Sequence, residues 1–260
     1  MTDRTVIFLH LPKAAGSTLN RVIAQQYAPA KIYKTGGKAL PIIGTELAAN
    51  PHVRLIAGHI GFGVHTLLAR PFTYITVLRD PVERMLSHYH FARKLVTHPL
   101  HAEIANGLSV VDAARRLANL QTRYLADESV RGTSETTSRD ALESAKENVG
   151  RHFAVAGLAE RFEETLLLLS RQLGWKIRPV ANSNVTRGRP KRQAHSDEEL
   201  RSIREMNALD GELYDWVRSR FEDEVARAGA TFRAQVAWLR WRNRALQLGS
   251  RLVQRKTQAS

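Results

Sequence analysis

The sequence predicts an α/β protein: a P-loop-like three-layer fold with a mainly parallel sheet flanked by helices, plus a basic C-terminal helix. Three observations predict it. Short β-branched and aromatic runs alternate with helix-like stretches along the chain. A loop containing proline and glycine leaves the first such run and enters a helical pattern. The strongest run, residues 72–78, ends in Arg79-Asp80-Pro81, where ligands of open α/β sheets bind and a proline-led helix can start.

The elements follow in order. Val6-Ile7-Phe8-Leu9 reads as a buried strand, and residues 53–57, 72–78 and 153–158 as further strands. Helices are expected near 18–26, 81–95, 109–120, 138–148, 160–173 and 209–226. Asp80 suits an N-cap before Pro81, and Ser196 with Glu199 has the capping-box spacing that opens another helix. Residues 181–193 form a polar, arginine-rich loop in this reading. A chain of 260 residues can bury one large core, so residues 1–226 are read as one domain and 227–260 as a basic amphipathic helical tail.

Charge and composition exclude some chemistries. There is no cysteine, which removes disulfides, cysteine-ligated zinc and thiolate catalysis. Nothing in the pattern demands a metal. Net charge is +14, and the stretch from Arg227 to Ser260 carries seven arginines and one lysine with no acid, so over half of the excess sits in the tail. Such a field attracts polyanions. No helix-turn-helix, zinc-finger or RNA-binding aromatic signature accompanies it, so nucleic acid is not an expected partner. No apolar run reaches the roughly 18 residues of a membrane span, and the first residues lack a charged-then-apolar leader. A cytoplasmic location is expected, with peripheral contact on anionic membrane through the tail as a further option. Phe232, Val236, Leu239, Leu246 and Val253 fall near helical spacing, with Trp238, Trp241 and arginines between them. That pattern suits an interfacial helix, or one docked on the domain or a partner.

The segment from His10 to Leu19 carries the first candidate site. Pro12, Lys13, Ala14, Ala15, Gly16, Ser17 and Thr18 bridge a strand and a helix. Small residues let the backbone wrap a phosphate, and the N–H groups and positive dipole end of the helix face the anion. Lys13 adds a full charge, and Ser17 and Thr18 add hydroxyls. The spacing is not Walker A, because the lysine precedes the glycine by three residues. The second candidate is Arg79 at a strand's carboxyl end, with Ser87 two turns into the next helix; a guanidinium there can grip a phosphate by two parallel bonds.

These two segments, HLPKAAGSTL and VLRDPVERMLSHYHF, resemble the carbohydrate sulfotransferase family that includes heparan sulfate 2-O-sulfotransferases and bacterial relatives. The resemblance continues through NLQTRYL at 119–125, VAGLAERF at 155–162, Asn184-Val185-Thr186 with Arg189-Pro190, and NALDGELY at 207–214. It implies a metal-free transfer of a sulfuryl group from 3′-phosphoadenosine 5′-phosphosulfate to a hydroxyl of a carbohydrate or glycolipid. Lys13 would contact the sulfate and 5′-phosphate, and Arg79 with Ser87 the 3′-phosphate. Position 14 is usually a hydroxyl or thiol residue in the family; here it is Ala14.

Such a transfer needs in-line alignment and stabilisation of charge on the leaving oxygen. Lys13 suits the second task. His59, following a predicted strand between Gly58 and Gly61, suits a general base, and the Gly-His segment resembles the family's catalytic histidine region. His88 and His90 compete, but two residues apart on a helix they face different ways. His10 is expected to support the loop or fill the core. Gln121, Thr122 and Arg123 are read as lining or buttressing the site, with Arg123 facing an acidic acceptor, and Glu160 and Arg161 as structural. Asn184, Arg187 and Arg189 suit closure over the nucleotide or contact with a glycan. Two other readings compete: a nucleotide-dependent small-molecule kinase, and a non-catalytic polyanion-binding protein.

Overall fold

The computed structural model describes residues 4–180 and 195–258, with side chains as far as 248. Five strands form one parallel sheet: β1 (Thr5–Leu9), β2 (Ile32–Lys34), β3 (Leu55–Gly58), β4 (Phe72–Leu78) and β5 (Phe153–Leu158), in the order β2-β3-β1-β4-β5. Parallel strands are joined through crossovers, so the chain lays helices against the sheet. They are α1 (Gly16–Ala24), α2 (Leu40–Ala48), α3 (Pro81–Lys94), α4 (His101–Ala105), α5 (Val110–Arg116), α6 (Leu120–Leu125), α7 (Arg139–His152), α8 (Phe162–Leu173), α9 (Asp197–Met206) and α10 (Ala208–Gln258).

The central strands explain themselves by burial. All five residues of β1 are buried, and β4 is buried from Thr73 to Leu78. A strand covered on both faces reads as a continuous apolar run rather than an alternation. The sequence reading of β4 and β5 matches to the residue; β2, α2, α4 and α6 were not read as elements. The main core joins β1, β3, β4 and β5 to α1, α7, α8 and α10 through residues such as Phe8, Ile75, Leu142, Leu169 and Phe221. A second cluster, Val82, Met85, Leu86, Val110, Ala113, Ala114, Leu200 and Ile203, ties α3, α5 and α9 together.

Capping follows the expected chemistry. Asp80 accepts from the Glu83 N–H at 2.9 Å, and Pro81 occupies the first turn of α3. Ser196 and Glu199 exchange side-chain and backbone bonds in a full capping box at the start of α9. The last helix is bent at Gly229, whose φ of 82° and ψ of −171° lie outside helical space and suit glycine alone. Beyond the bend, Phe232, Val236 and Leu239 are buried in the main core. Half of the basic tail is thereby docked on the domain. Among the described residues no helix is long and apolar enough to cross a membrane.

Candidate active site

Strand order decides where the site lies. The neighbours β3, β1, β4 and β5 end side by side, so the loops that follow them converge at one edge. Each delivers a functional group: His59 after β3, the phosphate loop after β1, Arg79 after β4 and Glu160 after β5. They line one cavity of about 810 Å³.

The phosphate loop is bent by two non-glycine residues in left-handed conformation, Lys13 at φ 67° and Ala15 at φ 60°. That geometry turns the chain sharply into α1, which starts at Gly16. The need for glycine at 16 is steric: a Cβ there would lie 1.7 Å from Nε2 of His10. His10 therefore props the loop from beneath, as one of its two expected roles had it. Pro12, Lys13, Ala15, Gly16, Ser17 and Thr18 all line the cavity. Ala14 does not. Its methyl group is 1% exposed and belongs to the main core, so the position where the resemblance leads one to expect a hydroxyl or thiol is here part of the packing.

Arg79 stands against this loop. Its Nη1 donates to the Lys13 carbonyl at 3.1 Å, and Nη2 lies 3.4 Å from Glu83. Glu160 comes within 4.0 Å of its Nε and accepts from the Asp80 N–H at 3.1 Å, while Tyr214 donates to the other carboxylate oxygen at 3.1 Å. Glu160, expected to be structural, thus sits in the cavity wall beside the arginine. Ser87 lines the same cavity from α3, together with His88 and Phe91. Phe91 lies one turn beyond Ser87 on the same face, and its ring receives the Lys13 ammonium at 3.8 Å.

His59 has a defined tautomer. Its Nδ1 lies 2.7 Å from the His10 carbonyl, which can only accept, so Nδ1 carries the proton and Nε2 keeps its lone pair. The two imidazoles stack at 4.2 Å. Burial, with smaller contributions from His59 and Lys13, pushes His10 down to about 3, so its ring stays neutral beside His59. His88 is likewise pushed down to about 3, mainly by burial and then by Arg84. His98, from a stretch that carried no sequence pattern, completes the wall and stacks edge-on with His88 at 5.1 Å.

Two predicted residues sit behind the cavity. Gln121 is fully buried; its Oε1 accepts from the Arg79 N–H and its Nε2 donates to the Arg79 carbonyl, both at 2.9 Å. It buttresses Arg79. Arg123 donates from Nε to the Ala118 carbonyl at 3.2 Å and is not among the residues lining the cavity. Asp210 locks this region by accepting from the Gln121 and Thr122 N–H groups and from the Thr122 hydroxyl. His90 turns away toward His195, with ring centroids 5.7 Å apart. Asn184, Arg187 and Arg189 lie outside the described residues. Among the described residues no group of three or more His, Asp or Glu is arranged to hold a metal ion.

Comparison with known proteins then fixes the family. A family model described as galactose-3-O-sulfotransferase matches residues 43–256. The chain belongs to this carbohydrate sulfotransferase family. As a member, it is 31% identical to heparan-sulfate 6-O-sulfotransferase 1 of Homo sapiens over 85% of its own length and 66% of that protein's. It is 30% identical to galactose-3-O-sulfotransferase 3 of Homo sapiens over 69% of its length and 44% of that protein's. The chain spans about half the length of the curated relatives it matches. A solved structure of mouse sulfotransferase SULT7A1 complexed with PAP is a more distant likeness, 17% identical with a TM-score of 0.41 over 78% of this chain and 63% of that one. These two relatives are named for 6-O and galactose 3-O positions, and the narrower likeness to 2-O-sulfotransferases gains no support from them.

Proposed function

We propose that this family member transfers a sulfuryl group from 3′-phosphoadenosine 5′-phosphosulfate to a hydroxyl of a carbohydrate. One observation carries the reading: the phosphate loop and Arg79 open into a single cavity, with the guanidinium 3.1 Å from the Lys13 carbonyl. The fit to this donor is chemical. It bears anionic groups on both its 5′ and 3′ positions, and the cavity offers a helix N-terminus with Lys13 at one place and Arg79 with Ser87 beside it.

When bound, the donor supplies an activated sulfuryl group whose sulfur–oxygen bond to the 5′-phosphate breaks as the acceptor oxygen bonds to sulfur. Lys13 stabilises the charge that collects on the phosphate oxygen left behind, leaving its rest position over Phe91 to do so. His59 takes the acceptor's proton at Nε2, the nitrogen its tautomer keeps free of hydrogen. Neutral His10 holds that tautomer without adding a competing charge. Arg79, clamped by Gln121, binds the 3′-phosphate and replaces its contact with Glu160 by one with the anion.

The kinase reading lacks the hydroxyl that would hold magnesium after the lysine, since Ala14 occupies that place and is buried. The test is incubation with donor carrying radiolabelled sulfur, against heparan sulfate, galactose-terminated glycans and simple alcohols. Label on a glycan supports the reading, and product analysis then separates 2-O, 3-O and 6-O positions. Stabilisation by ATP with magnesium, but not by 3′-phosphoadenosine 5′-phosphate, would overturn it in favour of phosphoryl transfer.

A further inference from the structure

We propose that the outward face of the C-terminal part of α10 docks on an anionic lipid surface. This part of the helix carries two stripes. Phe232, Val236, Leu239 and Asn243 are buried and face the domain. At roughly 100° per residue, Trp238, Trp241, Ala245 and Leu248 fall on the opposite side. There Trp238 is 53% exposed, Trp241 62% and Leu248 61%. Two exposed tryptophans and a leucine in one row form an unusual surface for a soluble face.

The inner stripe fixes which way the outer one points. Asn243 accepts from the Val180 N–H at 2.8 Å and donates to Glu163 at 3.1 Å, and Arg240 pairs with Glu164 at 3.1 Å. The helix cannot roll to bury its tryptophans without breaking these bonds. The outer stripe therefore stays in solvent until something covers it.

Charge selects the occupant. Arg233 and Arg244 flank the stripe on one side and Arg242 on the other, all exposed. Arg242 lies over both indole rings, at 5.8 and 6.0 Å. From residue 227 to 260 the chain has no acid at all. A second copy of the same face would bring arginine against arginine. An anionic bilayer matches both features: indoles settle at the headgroup level, and phosphates meet the arginines.

The test uses the full chain and vesicles. It should co-sediment with vesicles of mixed phosphatidylglycerol and phosphatidylcholine, weakly or not at all with phosphatidylcholine alone, and less as salt rises. The double variant Trp238→Ala with Trp241→Ala should bind the anionic vesicles at least about tenfold more weakly. It should keep the melting temperature and the sulfate-transfer rate on a soluble acceptor, because neither residue touches the core or the cavity. Equal binding by the double variant, or none by the parent chain, would overturn the proposal. So would a dimer in solution that the double variant abolishes, which would assign the face to a second copy. The salt and lipid series on the parent chain read the same question without any variant. Failure here leaves the sulfotransferase reading untouched.

Discussion

In the proposed transfer His59 presents Nε2 as the base, since the His10 carbonyl, 2.7 Å away, holds the proton on Nδ1. Removing the imidazole takes away the proposed proton acceptor and leaves Lys13, Arg79 and Ser87 in place. His59→Ala should therefore lower kcat about 10²-fold or more, with the affinity for 3′-phosphoadenosine 5′-phosphate nearly unchanged by calorimetry. Unaltered turnover would remove His59 from the reaction. Gly16 tests the opposite property, binding without chemistry. A methyl group at this position meets the His10 ring, whose neighbours His59 and Phe8 stack on it at 4.2 and 5.2 Å and leave it little room to yield. Gly16→Ala should destabilise the protein by about 1–3 kcal/mol. It should also abolish most of the thermal shift that the nucleotide gives, because the loop backbone is displaced from the phosphate.

Between elements, the decisive contact is the one from α6 to the end of β4. Gln121 closes both backbone hydrogen bonds of Arg79, and Asp210 of α10 holds α6 in place through three donors. Gln121→Leu keeps the volume but leaves two partly buried backbone groups of Arg79 unmatched, so about 1–3 kcal/mol of stability should be lost. Arg79 would still be present, and the expected signature is a raised KM for the donor with kcat much less affected. A fall in kcat alone would count against a positioning role. The same region shows what sequence could and could not convey. Arg79 and Ser87 were legible because both follow a long apolar strand whose end is a known place for ligands. Glu160 obeys that rule too, directly after β5, but a glutamate at a helix start has a ready structural explanation. Gln121 was grouped with the site on resemblance; its buried clamp on a backbone leaves no trace in residue type. His98 lies in a segment without periodicity, and only the tertiary fold brings it to His88. β2 has three residues, none buried, so no apolar run announced it.

At the scale of the whole molecule, the cavity couples stability to acidity. His10 and His88 are both pushed down to about 3 from the ordinary 6.5, in each case first by burial. The sign follows from proton counts. Above pH 6.5 neither the folded nor the unfolded chain protonates these rings, and they contribute no pH dependence. Below it the unfolded chain takes up protons that the folded one refuses, so each ring reduces stability by about 1.4 kcal/mol per pH unit. The decline continues until the folded rings accept protons near pH 3, and the growing positive charge on an already basic chain adds to it. The melting temperature should thus fall steeply from pH 6.5 to pH 4. His65 and His98 are shifted down as well, each first by burial. His88→Gln, which removes one refusing ring among these, should therefore reduce the stability slope by up to about 1.4 kcal/mol per pH unit while leaving the neutral plateau within about 2 kcal/mol of the parent. His88 suits this test better than His10: its Nδ1 is buried without a hydrogen-bond partner among the described residues, so little bonding is lost with the ring. A slope identical to the parent's would mean that the folded protein takes protons at His88 as readily as the unfolded one, and would place the acid sensitivity in other groups.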